Sequence, residues 1–385
     1  MNNSANETRK ISFQNAKRIV VKVGSNILTK DSGLNLKAVS LISKQICSLI
    51  DGGLEVILVT SGAMALGIKK MGLFKRPDEI PKRQAIAAVG QAGLIMEYEK
   101  AFTSHGRKVA QILLTSDGLT DRKRYLNARN TINTLLSWGV VPIINENDTV
   151  MVEEIKFGDN DNLGAMITLL MDADIMINLT DIDGLYTNDP RIDPNARLIS
   201  SVSSINQSIE KLAGKIPGAL GTGGMHSKIK AAKKLTSAGI PMVIAKGDTL
   251  DILKKLFSAQ KYGTFFIPKK KKLASRKCWI AFTLKPEGVI IIDAGAAAAI
   301  MKRGKSLLPS GIVSVVGEFG TGAPVQFKKN NDTLLGAGLV NYSSTDIRLI
   351  MGLRSCQIKN RLGYKPYDEV IHRDNLVITC SEASS

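Results

Sequence analysis

Lys22 interrupts an apolar run at residues 19–23 that otherwise reads as a buried strand. A lysine there is costly unless its ammonium meets an anion, and Gly24 just beyond lets a ligand come close to the backbone. The chemistry this suggests is neutralisation of a phosphate. Thr60-Ser61-Gly62-Ala63-Met64 follows a second such run. Small residues at a helix start leave free N–H groups for an anion, although Ser61 also suits a plain N-cap. A third loop, Gly221-Thr222-Gly223-Gly224-Met225-His226-Ser227-Lys228, opens another helix. Its amides suit a polyphosphate, and Lys228, one turn in, can reach the β and γ oxygens. This is not a Walker A loop. Gly304-Lys305-Ser306 is a decoy for one, because Ala299 stands where the first Walker glycine belongs.

Acidic and amide side chains gather in Asn145-Glu146-Asn147-Asp148 and Gly158-Asp159-Asn160-Asp161-Asn162. They repel one another unless a cation joins them, so they are expected to hold hydrated Mg²⁺ or to grip an amino group. Thr180-Asp181-Ile182-Asp183-Gly184-Leu185-Tyr186 follows a further strand-like run. Two lysines, helix-start loops and an acidic cluster together describe phosphoryl transfer, where positioning and charge neutralisation supply most of the catalysis. A carboxylate acceptor fits, since it is ionised at neutral pH and needs no general base. The only histidines, His105, His226 and His372, lie in unrelated segments, which argues against a Ser–His–Asp hydrolase.

The elements that must position these loops follow from periodicity. Short runs rich in Val and Ile at 19–23, 56–60, 109–114, 140–144, 175–179 and 241–245 read as strands buried on both faces. Amphipathic stretches at 36–50, 83–104, 122–138 and 225–238 alternate with them as helices. The fold class expected is α/β, a three-layer, mostly parallel sheet with ligands beyond the carboxyl ends of its strands. Near residue 267 the pattern changes to short glycine-broken strands at 288–292, 312–316, 324–327 and 334–340, which suggest a small β-barrel-like domain. The expected organisation is a disordered tail at 1–16, the α/β domain at 17–267, and a basic linker at 268–276. The β-rich domain follows at 277–370, with a C-terminal tail at 371–385.

In 385 residues no apolar stretch is long enough for a membrane span, and the first seventeen residues lack the apolar core of a secretory signal. Cys47, Cys278, Cys356 and Cys380 are too far apart for a zinc site and read as reduced thiols, so a cytoplasmic location is expected. The net charge of +18 is concentrated toward the C-terminus. That favours a polyanionic partner or a solvated basic face.

Val21-Lys22-Val23-Gly24-Ser25, Thr60-Ser61-Gly62-Ala63, Asn145-Glu146-Asn147-Asp148, Gly158-Asp159-Asn160-Asp161-Asn162 and Thr222-Gly223-Gly224-Met225 resemble the amino-acid kinase superfamily. Their combination and order are similar to its glutamate 5-kinase family. Asp293-Ala294-Gly295-Ala296 and Lys305-Ser306-Leu307-Leu308-Pro309-Ser310-Gly311 resemble the PUA domain that bacterial members append. The resemblance implies phosphorylation of the γ-carboxylate of L-glutamate by ATP with Mg²⁺, the first step of proline biosynthesis. It makes Lys22, Lys228 and Asp161 catalytic, and Ser61, Asp148, Asn160 and Asn145 substrate-binding. ATP would be held by Lys22, Thr180, Asp181, Thr222, Gly223, Gly224, Met225, His226, Ser227 and Lys228. Asp159 and Asp161 would orient lysines or ligate Mg²⁺. The resemblance also implies feedback inhibition by proline and a homo-oligomer.

Ser227 stands where the family usually has Thr, and Gly336-Ala337-Gly338-Leu339 lacks an arginine usual in the appended domain, which weakens RNA contact there. The rival readings are N-acetylglutamate kinase or aspartokinase of the same fold, and an RNA-binding protein acting through the basic PUA domain. Against an acetylated substrate, the acidic clusters call for a free amino group.

Overall fold

The computed structural model describes residues 2–30, 33–150, 160–214, 224–258, 260–269 and 272–379. The chain divides into two compact units between Lys272 and Leu273. In the first, the strands are β1 (Arg18–Val23), β2 (Thr29–Lys30), β3 (Gly33–Leu34), β4 (Glu55–Val59), β5 (Val109–Leu114), β6 (Val141–Glu146), β7 (Ile175–Thr180), β8 (Ser201–Val202), β9 (Met242–Lys246) and β10 (Thr264–Phe266). The helices are α1 (Asn2–Gln14), α2 (Ser25–Leu28), α3 (Leu36–Asp51), α4 (Ala63–Lys70), α5 (Ile80–Thr103), α6 (Arg122–Ser137), α7 (Asn160–Leu170), α8 (Gln207–Gly214), α9 (Met225–Ser237) and α10 (Ile252–Phe257).

Eight strands form one sheet in the order β5-β6-β4-β1-β7-β9-β10-β8, with β2 and β3 a separate hairpin. Every neighbouring pair in the large sheet is parallel except β9 with β10. The expected mostly parallel α/β sheet is what forms, because Val, Ile and Leu on both strand faces need helices on both sides. On one face Val21, Val23, Leu58, Ile177, Leu179, Val243 and Ala245 join a core with α3, α5 and α10. On the other, Val20, Ile57, Met176, Met242 and Ile244 are fully buried, and α7 and α9 pack there against each other and the sheet.

Residues 2–14 are not a disordered tail. They form α1, whose Phe13 is buried and meets Phe257 edge to face with ring centroids 5.1 Å apart. Arg9 donates to the Tyr262 carbonyl and lies over the Phe265 ring. An aromatic and a guanidinium in one polar-looking segment anchor it, and a reading by mean polarity misses such single contacts.

In the second unit, α11 (Ser275–Phe282) begins inside the expected linker. It is followed by β11 (Gly288–Ile292), α12 (Ala294–Arg303), β12 (Ile312–Val316), β13 (Pro324–Lys329), β14 (Leu334–Leu339), α13 (Ser344–Ile350), α14 (Ile358–Leu362) and β15 (Leu376–Ile378). The five strands run in the order β12-β11-β13-β14-β15, around Ile290, Val325, Phe327, Leu335 and Ile347. The segment expected as a C-terminal tail contributes β15, antiparallel to β14, and buries Ile371 and Leu376. Edge pairing covers the open side of β14 and accounts for that order. Among the described residues no helix is long and apolar enough to cross a membrane.

Candidate active site

Parallel pairing brings the carboxyl ends of β1, β4, β6 and β7 to one edge of the sheet, and four of the candidate segments continue from those ends. Lys22, next to last in β1, pairs in register with Asn178 of β7. Its stem runs beneath Gly164 of α7, where an added Cβ would meet it at 3.6 Å. Its ammonium reaches Asp161 Oδ1 at 2.7 Å. Asp161 Oδ2 lies 3.1 Å from Lys228 Nζ and accepts from Ser227 Oγ at 2.5 Å. Asn178 Nδ2 donates to Oδ1 at 2.8 Å.

All three members of the Lys22–Asp161–Lys228 bridge are buried. Burial by itself would raise the Asp161 carboxyl. The two ammonium groups, with hydrogen bonds from Lys22 and Ser227, outweigh it and hold the carboxyl well below the usual carboxylate range. Both oxygens are occupied by lysine, amide and hydroxyl donors, so this geometry suits a lysine-orienting role. It leaves no open position for a metal ion on Asp161. Asp159, the other candidate, lies outside the described residues. Among the described residues no cluster of three or more His, Cys, Asp or Glu side chains could hold a metal.

Asn160, one residue earlier at the start of α7, joins a second group of side chains. Its Nδ2 lies 2.8 Å from Thr60 O, 2.9 Å from Ser61 Oγ and 3.0 Å from Asn145 Oδ1. Three acceptors on one side fix which way the amide points, and they leave Asn160 Oδ1 a buried acceptor with no partner among the described residues. Such an oxygen suits an incoming N–H donor. Asn145 is held in turn by Gln91 Oε1 at 2.6 Å, and Thr60 Oγ1 by Tyr98 OH at 2.9 Å, so α5 braces the pocket. Gly62 caps α4 with φ 103°, a conformation open to glycine, and so turns Ser61 toward Asn160. Asp148 begins a short turn after β6. Burial pushes its carboxyl up to about 6, with the Arg76 guanidinium pulling the other way.

Around the nucleotide candidates, Thr180 Oγ1 donates to Asp181 Oδ1 at 2.9 Å and Asn26 Nδ2 to Oδ2 at 2.9 Å. Burial would raise the Asp181 carboxyl, but these hydrogen bonds prevail and lower it. Gly24 donates to Leu179 O at 2.9 Å, and an added Cβ there would lie 3.3 Å from that oxygen and 3.9 Å from Lys22 Nζ. At the start of α9, Gly224 offers no side-chain cap, which leaves the first amides for an anion. Met225 is buried and His226 is exposed. Thr222 and Gly223 lie outside the described residues.

The structure therefore gathers Lys22, Ser61, Asn145, Asn160, Asp161, Thr180, Asp181, Ser227 and Lys228 along one edge. Sequence reasoning does not single out Asn178, Gln91 or Tyr98. A signal exists for Asn178 alone: an amide inside the apolar run of β7, the same anomaly that marks Lys22.

The amino acid kinase family profile matches residues 17–246, and the PUA domain profile residues 288–362. Glutamate 5-kinase of Syntrophus aciditrophicus is 50% identical over 373 residues, 97% of each chain. That of Thermoanaerobacter sp. strain X514 is 50% identical over 94% of this chain and 97% of its own. The Geobacter sulfurreducens glutamate 5-kinase is 50% identical, with the same two coverages. With identity of that degree over nearly its whole length, the chain belongs to the amino acid kinase family and, within it, to the glutamate 5-kinases.

Proposed function

We propose that the chain transfers the γ-phosphoryl group of ATP to the γ-carboxylate of L-glutamate, giving ADP and L-glutamyl 5-phosphate, the entry step to proline. The observation that carries this reading is the adjacency of Asn160 and Asp161 at the start of α7. Asn160 completes the acceptor pocket while Asp161 ties the two phosphate-directed lysines together. One helix end thus sets the distance between the two substrates, the positioning on which an in-line transfer depends. Lys22 and Lys228 face the phosphates and offset the charge that spreads onto their oxygens in the transition state. The acceptor's ammonium takes Asn160 Oδ1 and Asp148, which favours glutamate over an acetylated analogue. ATP enters as its magnesium complex, with the ion carried on the phosphates. Hydroxylamine trapping with L-glutamate, L-aspartate and N-acetylglutamate in parallel tests this. Hydroxamate from glutamate alone supports the reading, and hydroxamate from another acceptor or from none overturns it.

Two expected results follow from the pocket. Asp148 must be ionised to pair with an ammonium, and burial places its carboxyl at about 6. The kcat/KM for glutamate should therefore fall up to tenfold per pH unit below about 6, while Asp148→Asn should be low throughout and lack that limb. Asn178→Leu should lower the melting temperature, because the buried Asp161 carboxylate loses an amide donor at 2.8 Å. It should also lower kcat about threefold as Asp161 loses a donor. Thermal melts and steady-state kinetics measure both effects.

Proline carries an α-carboxylate and a secondary ammonium beside it, placed as in glutamate, which supports competition for the Asn160–Asp148 pocket. A homo-oligomer is part of the same proposal and is read by sedimentation. Buried free thiols at Cys47 and Cys278 support a reducing, cytoplasmic setting. For RNA contact, the second unit has a cavity of about 740 Å³ lined in part by Arg303, Lys305 and Arg373, which salt-dependent RNA binding would test.

A further inference from the structure

Beyond the two lysines already described, a third stands on the same edge of the sheet. Lys246 is the last residue of β9 and pairs in register with Thr180 of β7. Partners in a parallel pair point to the same side, and side chains alternate along each strand. Val243 and Ala245 of β9 enter the core on the α3 face. Lys246 therefore projects to the opposite face, the one on which Asn178 meets Asp161 and α9 presents Lys228.

The backbone that carries it is closely held. Gly247 N donates to Thr180 O at 2.8 Å, and an added Cβ at Gly247 would fall 2.2 Å from Ile27 Cδ1 of α2. Lys246 is thus locked beside the Gly24-Ser25-Asn26 turn and the Thr180–Asp181 pair. Its side chain is 38% exposed and, among the described residues, makes only a loose ion pair, 3.8 Å from Asp248 Oδ1, with a carboxylate itself 66% exposed. A pair of that kind holds a lysine weakly, so an incoming anion of higher charge competes well for its ammonium.

We propose that Lys246 is a nucleotide-binding residue, which contacts the polyphosphate of ATP at the end remote from the transferred group. The geometry of the edge supports that end. Lys22 stands on β1, two strands from β9, a separation of about 10 Å. A triphosphate lying from Lys22 across Thr180 brings its nucleoside end toward Lys246, whose four-carbon stem spans the remaining gap. Lys22 and Lys228 then serve the transferring group, while Lys246 contributes affinity. The inference rests on the ATP reading of this edge, but not on which acceptor is phosphorylated.

Lys246→Ala, Lys246→Glu and Lys246→Arg test it, by calorimetric titration with MgATP and by steady-state kinetics. The alanine variant should raise both Kd and KM for MgATP about 3- to 10-fold, and the glutamate variant should raise them further. The arginine variant should stay within about twofold of the original chain, and the loss should appear in KM for MgATP rather than in KM for glutamate. Kd for MgATP within about twofold in both the alanine and glutamate variants overturns the proposal. So does a rise in glutamate KM equal to that for MgATP. If the original chain forms no hydroxamate yet Lys246→Glu weakens MgATP binding, the acceptor assignment fails and the Lys246 assignment stands. If hydroxamate forms and neither variant shifts MgATP binding, the Lys246 assignment fails alone.

Discussion

Replacing Lys228 with alanine is expected to lower kcat by about 10³-fold or more, while KM for glutamate changes less than about threefold. The reason lies in where the ammonium sits. Lys228 is buried on the first turn of α9, and its contact with Asp161 Oδ2 is 3.1 Å, longer than the 2.7 Å from Lys22 to Oδ1. Its charge is thus held where negative charge spreads over the phosphate oxygens in the transition state. The acceptor pocket stands on elements other than α9, at the ends of β4 and β6 and the start of α7, so glutamate affinity should survive the change. Steady-state kinetics with each substrate varied separately gives the split. Near-original turnover would mean that Lys228 only neutralises Asp161.

The second large effect is expected at Asp161, and it should appear in stability as well as in rate. In Asp161→Asn the shape is kept, but two buried ammonium groups lose the carboxylate between them. Breaking a buried ion pair by removing one partner costs about 3–5 kcal/mol, because the remaining charge is left in a poor environment. Urea unfolding of the two chains at neutral pH measures that difference. The sign with pH follows from the lowered Asp161 carboxyl. Its contribution is fully present above the ordinary carboxylate range and is lost as acid protonates it in the folded chain. The gap between original chain and variant should therefore narrow in strong acid.

In kinetics, Asp161→Asn should lose at least as much kcat as Lys228→Ala. The double substitution should cost little more than the worse of the two, since both act through one bridge. Additive losses would separate Asp161 from the lysines. A variant of unchanged stability would show that the ammonium groups find other partners.

Much of the site is legible in the amino-acid sequence, for a common reason. Lys22 in an apolar run and the glycine-rich approach to Lys228 are both residues in places where their chemistry is expensive. Chemistry in expensive places marks function. The same rule, applied evenly, also finds Asn178 in β7. Gln91 and Tyr98 cannot be found that way, because a glutamine or tyrosine on an amphipathic helix is ordinary. The N-terminal segment misleads in the opposite direction. Its mean polarity predicts a tail, yet Phe13 and Arg9 suffice to dock α1, and a pattern average hides two strong contacts.

By itself the sequence determined the alternation of strand and helix, the parallel sheet, the edge on which the loops lie and the families they resemble. These follow from local periodicity and from residue types, which are properties of short stretches. The division of labour within one acidic cluster was decided by tertiary structure alone. Asn160 and Asp161 are neighbours, and as a sequence both could grip a cation. At the start of α7 one turns toward Ser61 and Asn145, and the other toward Lys22 and Lys228. Successive residues on a helix project about 100° apart, so the direction each faces depends on what packs around that helix end. Those neighbours arrive from strands and helices that are far off in sequence, Lys22 of β1 among them.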